Sequence, residues 1–465
     1  MQQRSHIIVH WIGLAVVLMV LPVRGGDVPP LPAVEWKAGD RVLVLAPHPG
    51  DETIGCGATI RQLTATGIPV RVAFLTCGEH SQWSLQLYRE RLVVNPDKVS
   101  LLGPRRMQEA RAAAGELGLP PESLLFLGYP DFGTLNIWCA HWAEAMPFRS
   151  MLTRTRQVSY AEALHPGAPY KGEVLLADLK DVIRDFRPTC VLVSHPADQH
   201  PDHQALYLFT RVALWDLSDL PEPVRRPYLI HYTQWPEQDG QSWLLPPADL
   251  AGLIEWHGVA AGPDQTEARD RALAAHQTDE AFSSGRLKLF ARQSNMYGDF
   301  ADADLSGKPL VLEAGASPLV LPEELTAEEK DRHVGIESCS AVLEGRVLQV
   351  DLRLNRALQP GMGASVYVFG YRPDRAFEHM PKLQVCLQAF SVEVLDQARL
   401  CSPGLVLVRR SGADIRLRIP LEALGSPDRL FAGARTYLHD VPLDWMAWRV
   451  LRIPAAEDSS STAEQ

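Results

Sequence analysis

Two short segments hold most of the residues that could do chemistry together. The first is Ala46-Pro47-His48-Pro49-Gly50-Asp51-Glu52, followed by Thr53-Ile54-Gly55-Cys56-Gly57. The second is Ser194-His195-Pro196-Ala197-Asp198-Gln199-His200-Pro201-Asp202-His203. Imidazole and carboxylate together are the donors of a catalytic zinc, which keeps one coordination position open for water. The same donors would also accept iron, cobalt or manganese. Either segment alone carries little: a single His-Pro is usually a turn, and His200 with His203 fits a polar helix start. Their weight comes from convergence. Each lies between an apolar run and a helical pattern, and open α/β sheets bind ligands beyond the carboxyl ends of their strands, near a topological switch point.

The elements that must position them alternate from Arg41 to about Phe300. Arg41–Ala46 reads as a short buried strand, Thr53–Thr66 as a helix closed by Gly67, and Val70–Leu75 as a second strand. Arg105–Leu117 reads as a helix stopped by Gly118 and Pro120, and Leu124–Leu127 as a third strand. Leu176–Phe186 is helical, Thr189–Ser194 a fourth strand, His203–Leu217 a helix and Tyr228–Tyr232 a fifth strand. This alternation predicts an α/β domain, a mostly parallel sheet with helices on both faces. Two long connections interrupt it, Glu79–Gly103 and Thr134–Gly172. The second carries Trp138, Trp142 and Phe148, and reads equally as a lid or substrate wall and as a packed insertion. Beyond about Leu310 the apolar period becomes two, over Val347–Leu354 and Ile415–Ile419. With Val366–Phe369, Gln384–Leu387 and Leu405–Val408, it predicts a smaller antiparallel, sandwich-like β domain at 310–455. Residues 456–465 read as a disordered polar tail.

The first segment resembles the signature of the PIG-L/LmbE-like deacetylases, normally Ala-His-Pro-Asp-Asp-Glu or a close variant, and His200-Pro201-Asp202-His203 resembles the family's second motif. Thr76-Cys77-Gly78, Arg106 with Glu109, Asp131 and Ala275-His276-Gln277-Thr278 are weaker matches. The resemblance covers about Arg41 to Gly298 and does not reach the β domain. It implies a Rossmann-like domain, placed here at 35–300, and hydrolysis of an N-acetyl group, often on an N-acetylglucosamine-type sugar. It makes His48, Asp51 and His203 the zinc ligands. Zinc would lower the pKa of bound water and polarise the amide carbonyl. His200 would face the developing oxyanion or protonate the leaving amine. Asp202 would orient a ligand imidazole, although a carboxylate at a helix N-terminus accounts for it equally. Arg106 and Asp131 are candidate sugar contacts; a salt bridge with Glu109 or a closed turn are the ordinary alternatives. His276 reads as a core histidine and Glu52 as an acceptor for backbone N–H groups. The sequence departs from the family at Gly50, where an aspartate usually serves as general base. Asp198 is the first candidate to replace it, followed by Glu52 and His200. Otherwise turnover is slow without a dedicated base, or the domain binds without hydrolysing. A positioned base contributes about a hundred- to ten-thousand-fold.

The totals bound these readings. A chain of 465 residues with a net charge of −11 lacks the basic surface that nucleic acid requires; a small molecule or glycan is the expected partner. Arg4 and the apolar run Ile7–Val23 read as a signal segment over residues 1–26, with a secreted or periplasmic location; a retained membrane anchor is the alternative. Seven cysteines, none in a CxxC pair, argue against a thiolate zinc site. Cys386 with Cys401 is a candidate disulfide for an exported chain, and buried free thiols are the alternative. The main expectation is a zinc-dependent hydrolase of N-acylated amino sugars. The alternative is a non-catalytic, metal-containing carbohydrate-binding protein. A nucleotide-binding Rossmann protein fits poorly, because Gly55 and Gly57 fall inside the helix rather than in the first turn.

Overall fold

The apolar run Val42–Ala46 forms β1, with every residue buried. It lies parallel to β2 (Val70–Thr76) on one side, Val42 facing Val70. After β3 (Leu124–Tyr129) the chain crosses back to place β4 (Cys190–Ser194) on the other side of β1, Val42 facing Cys190. With β5 (Val224–Tyr228) the sheet order is β3-β2-β1-β4-β5, so the direction of winding reverses between β1 and β4. That reversal is the switch point, and both motif segments leave the sheet there. The computed structural model describes residues 30–79, 96–237, 240–278, 286–313, 325–439 and 441–454. The expected signal segment and C-terminal tail lie outside the described residues.

Helices cover both faces. Pairwise packing joins α1 (Asp51–Ala65) and α2 (Pro96–Glu116) to a later helix, α6, on one side. On the other, α3 (Thr134–Ala140) and α4 (Gly172–Phe186) pack on α5 (Pro201–Asp216); α6 spans Pro263–Ala275. The amphipathic α4 turns Leu175, Leu176, Leu179, Val182, Ile183 and Phe186 inward. Two boundaries differ from the sequence pattern. The α2 helix begins at Pro96, and Pro104, adjacent to its expected start, lies inside it. The fifth strand sits at 224–228 rather than 228–232: Arg225-Arg226-Pro227 breaks the apolar run, and β5, as the outer strand, tolerates a proline that an inner strand would not. An antiparallel ribbon of β6 (Glu255–Ala260) and β7 (Ser294–Asp299) was not anticipated.

The C-terminal part is two antiparallel sheets face to face. One contains β9 (Leu310–Glu313), β10 (Ile336–Glu344), β11 (Val347–Leu354), β16 (Leu407–Ser411) and β17 (Asp414–Pro420). The other joins β12 (Met362–Tyr371), β13 (Lys382–Gln388), β14 (Val392–Asp396), β15 (Arg399–Leu400), β18 (Arg429–Leu438) and β19 (Val441–Arg452) to β8 (Ala303–Asp304), which pairs parallel to β19. Leu348, Val350, Leu352, Leu417 and Ile419 meet Val366, Val368, Val385 and Leu387 in the sandwich core. β12 is buried along its whole length because its other face, Tyr367, Phe369 and Tyr371, covers the α/β domain. There Trp138 stacks on Phe377 at 5.1 Å and meets Phe431 at 5.3 Å, while Trp142 contacts Phe209 and Phe377. Trp138 and Trp142 are therefore part of a packed insertion between the domains rather than a lid. All seven cysteines are free, Cys386 and Cys401 included.

Candidate metal centre

β1 ends at Ala46, and the turn through Pro47 and Gly50 delivers His48 and Asp51 at the head of α1. Gly50 has φ 110°, where a side chain would be strained, and Asp51 and Glu52 occupy the first helical turn, where the backbone N–H groups favour negative charge. β4 ends at Ser194, and His200 caps α5, accepting the Asp202 N–H on its Nδ1 at 3.2 Å. This puts Asp202 and His203 in the first turn of α5, beside β1.

The imidazoles of His48 and His203 approach one oxygen of Asp51. His48 Nδ1 lies 3.0 Å and His203 Nε2 3.1 Å from Asp51 Oδ2. His203 is fully buried, so the two imidazoles converge on this one carboxylate oxygen away from solvent. A tetrahedral zinc with bonds of roughly 2.0–2.1 Å needs neighbouring donors about 3.3 Å apart, close to these spacings. The outer nitrogens are held by carboxylates: His203 Nδ1 is 3.0 Å from Asp198 Oδ2, and His48 Nε2 is 3.2 Å from both Asp202 and Asp131. An outer carboxylate that sets the tautomer and direction of a ligand imidazole is the usual second layer of a metal site. The donor set fits a divalent cation. Asp51, Asp131, Asp198 and Asp202 crowd His48, His200 and His203, all below a tenth exposed, a density of buried carboxylate that a cation would help to neutralise.

Ligand atoms of three overlapping sets lie within 4.8 Å of one another: His48, His200 and His203; His48, Asp131, His200 and Asp202; and Asp51, His203 and His231. Asp202 is already anchored elsewhere, accepting Phe132 N at 2.7 Å, Thr134 N at 3.1 Å and Thr134 Oγ1 at 2.5 Å. That leaves Asp51 as the carboxylate between the two imidazoles.

The electrostatics follow this geometry. Burial opposes a charged imidazole at His48, but Asp131, Asp202 and Asp51 outweigh it and hold its pKa well above the ordinary value. His203, opposed by the same burial and favoured by Asp198 and Asp51, rises to about 9. For Asp51 burial acts to raise the pKa, yet His203 and His48 hold it well below the carboxylate range. His200 goes the other way: burial, with the neighbouring charges of His48, His203 and His231, keeps it neutral. With Nδ1 accepting, the neutral ring carries its proton on Nε2.

The other sequence candidates fall nearby with defined partners. Asp198 accepts three backbone N–H groups, from His200, Ile230 and His231, as well as the His203 imidazole. Glu52 accepts Gly50 N and Thr53 Oγ1 and lies 3.2 Å from His276 Nε2. Arg106 is buried and donates to Pro49 O at 2.7 Å and Gly78 O at 3.2 Å, tying the first motif loop to the end of β2. Glu109 pairs with Arg105 and accepts from Thr278. The sequence reading missed His231, whose ring is 4.7 Å from that of His203; the misplaced fifth strand hid it. It also missed Glu79, which accepts Tyr160 Oη at 2.7 Å and Asp131 N at 3.2 Å. Burial and the Asp131 charge push Glu79 up to about 7. Its signal was available, directly after Thr76-Cys77-Gly78 at the carboxyl end of β2.

A parallel sheet whose switch point gathers His and Asp donors defines the class of protein: an α/β fold built around a metal-binding site. Residues 43–214 match the family described as PIG-L: GlcNAc-PI de-N-acetylase. The chain is 31% identical over 264 residues to 1D-myo-inositol 2-acetamido-2-deoxy-alpha-D-glucopyranoside deacetylase of Mycobacterium avium (strain 104), covering 51% of this chain and 79% of that one. A protein of the same description from Mycolicibacterium paratuberculosis is 30% identical over 262 residues, with the same two shares. Among solved structures, the chain is similar to N,N'-diacetylchitobiose deacetylase from Pyrococcus horikoshii, at 18% identity over 56% of this chain and 82% of that one, with a TM-score of 0.33. The chain belongs to the PIG-L family.

Proposed function

We propose that this chain is a zinc-dependent hydrolase that removes an N-acetyl or related N-acyl group from an amino-sugar glycoconjugate. The observation that carries this reading is the approach of His48 Nδ1 and His203 Nε2 to one oxygen of Asp51, with the outer ring nitrogens on Asp202 and Asp198. The relatives named above are deacetylases of an acetamido sugar, which supports the substrate class. Bound zinc would lower the pKa of a coordinated water and polarise the amide carbonyl. The chain's own residues do the rest. His200, neutral with its proton on Nε2, donates to the oxygen on which charge develops. Asp198 and Asp202 position the two ligand imidazoles, and Arg106 holds the Pro49 carbonyl so that the first motif keeps its turn. Asp131, 3.2 Å from His48 Nε2, shares with Asp202 the holding of that ring. Gly50 supplies no base, and the carboxylates of Asp198 and Glu52 are already taken by fixed donors, so turnover is slow for this reaction class. The apolar run Ile7–Val23 supports action outside the cytoplasm, which cell fractionation tests.

Elemental analysis of the purified protein beside a His48→Ala/His203→Ala double variant is the deciding experiment. About one zinc per chain in the parent, absent from the variant, followed by acetate release from an N-acetylated amino sugar, is the expected result. No metal in either after zinc is supplied would overturn the reading. Zinc without hydrolysis of any N-acylated sugar would instead favour a binding protein, the second reading, which the missing base at Gly50 motivates.

A further inference from the structure

We propose that Trp448 and Gln204 are positioning residues through which the β domain braces the metal-site loop 195–200 and sets the His203 imidazole. This rests on the metal reading above. The bonds run in sequence across the domain boundary. Trp448, on β19 and 5% exposed, donates its indole Nε1 to Gln204 Oε1 at 3.2 Å, and its backbone N to Pro196 O at 3.4 Å. Gln204, in the first turns of α5 and 2% exposed, donates Nε2 to Asp198 O at 2.8 Å. The Asp198 carboxylate in turn holds His203 Nδ1. Both ends of the Gln204 amide are thus fixed, one by the β domain and one by the loop.

Aromatic packing alone would account for a large side chain at position 448, but not for this pattern of bonds. Both donors of Trp448 are directed at the loop or at the residue gripping it. Two loop carbonyls, Pro196 and Asp198, accept N–H groups from this pair, and a buried carbonyl left unpaired is costly. The family match ends at residue 214 and so includes Gln204 but not Trp448.

The test uses the full chain with Gln204→Met, which keeps side-chain length and loses both bonds, and Trp448→Phe, which keeps an aromatic ring and loses the N–H. Tyr371→Phe is the control: Tyr371 Oη donates to Asp216 Oδ1 at 3.2 Å across the same boundary, away from the loop. Two readouts are taken, amide hydrogen exchange in peptides covering 195–204 and retention of zinc against a chelator. Exchange should rise about two- to tenfold in Trp448→Phe, the factor of one lost hydrogen bond, and at least as much in Gln204→Met. Zinc should be lost about tenfold more readily in Gln204→Met, with Tyr371→Phe like the parent in both. Unchanged exchange at 195–204 in both variants, or an equal rise in Tyr371→Phe, would overturn the brace. A parent that holds no zinc would sink the metal reading instead, while the exchange result would still decide the brace.

Discussion

The two halves of this chain treat buried charge in opposite ways. At the carboxyl ends of β1 and β4 the α/β half buries His48, Asp51, Asp198, Asp202 and His203 together. The sandwich buries mainly aliphatic and aromatic groups and puts its charges on the outer face, where Arg353 pairs with Glu337, Arg416 with Asp351 and Arg418 with Glu344 across strands. Buried ionisable clusters cost stability, and they persist where a counter-ion or a function compensates. Exposed cross-strand pairs contribute little either way. The buried ionisable cluster thus belongs to the first half, and the cross-strand ion pairs of the second lie at its surface.

The largest effect should come from removing the shared carboxylate. Asp51→Ala should abolish zinc binding and lower turnover at least about a hundredfold, whereas Arg416→Ala should leave both unchanged and shift stability by under about 0.5 kcal/mol. Metal analysis with urea unfolding checks both. Zinc retained by Asp51→Ala would erase the contrast between the halves. Next in size is the seam. Trp138→Ala, deep between the domains, should cost about 3–5 kcal/mol in denaturant unfolding. A cost near zero would mean the halves are not mutually stabilised through these aromatics. Asp198→Asn should weaken zinc binding about 10- to 100-fold, as loss of a residue that orients a ligand does. Unaltered zinc affinity with a fallen kcat would instead assign Asp198 the role of base.

The halves also differ in how far their sequences can be read. Val42–Ala46 and Cys190–Ser194 stand out as apolar runs because inner parallel strands are buried on both faces. The residues that follow each strand then lie at its carboxyl end, which is why the two motif segments could be expected to converge; the choice of His48, Asp51 and His203 as ligands came from the resemblance to the PIG-L/LmbE-like deacetylases. Strands β11 and β17 showed themselves by alternation. What stayed hidden depends on distant partners. Two of the hydrogen bonds that engage Asp198 come from Ile230 and His231, 32 and 33 residues further on. His231 was masked because an edge strand can carry Arg225-Arg226-Pro227. Trp138 and Trp142 could not be told from lid residues without the aromatic face of β12, more than two hundred positions away. The brace of Trp448 on Gln204 spans 244 residues and leaves no local trace.

A last prediction probes the lysine that breaks the sandwich's rule. Lys382 is fully buried at the seam, over the rings of Trp142 and Phe377, and donates to the carbonyls of Phe377 and Met380 at 2.6 and 3.0 Å. Burial pulls its pKa down to about 7, against the opposing pull of Asp396, Glu378 and Glu173. In the unfolded chain a lysine titrates near 10.4. Between about pH 7 and 10.4 the unfolded state binds more protons than the folded one, so this residue makes stability rise with pH, by up to about 1.4 kcal/mol per pH unit. Below about pH 7 both states are protonated and the contribution is flat. Urea unfolding at pH 7, 8.5 and 10 should therefore show a slope in the parent that Lys382→Met reduces. Equal slopes would mean that the two carbonyls and two rings keep the ammonium charged when buried, and that the sandwich, like the α/β half, carries a buried charge.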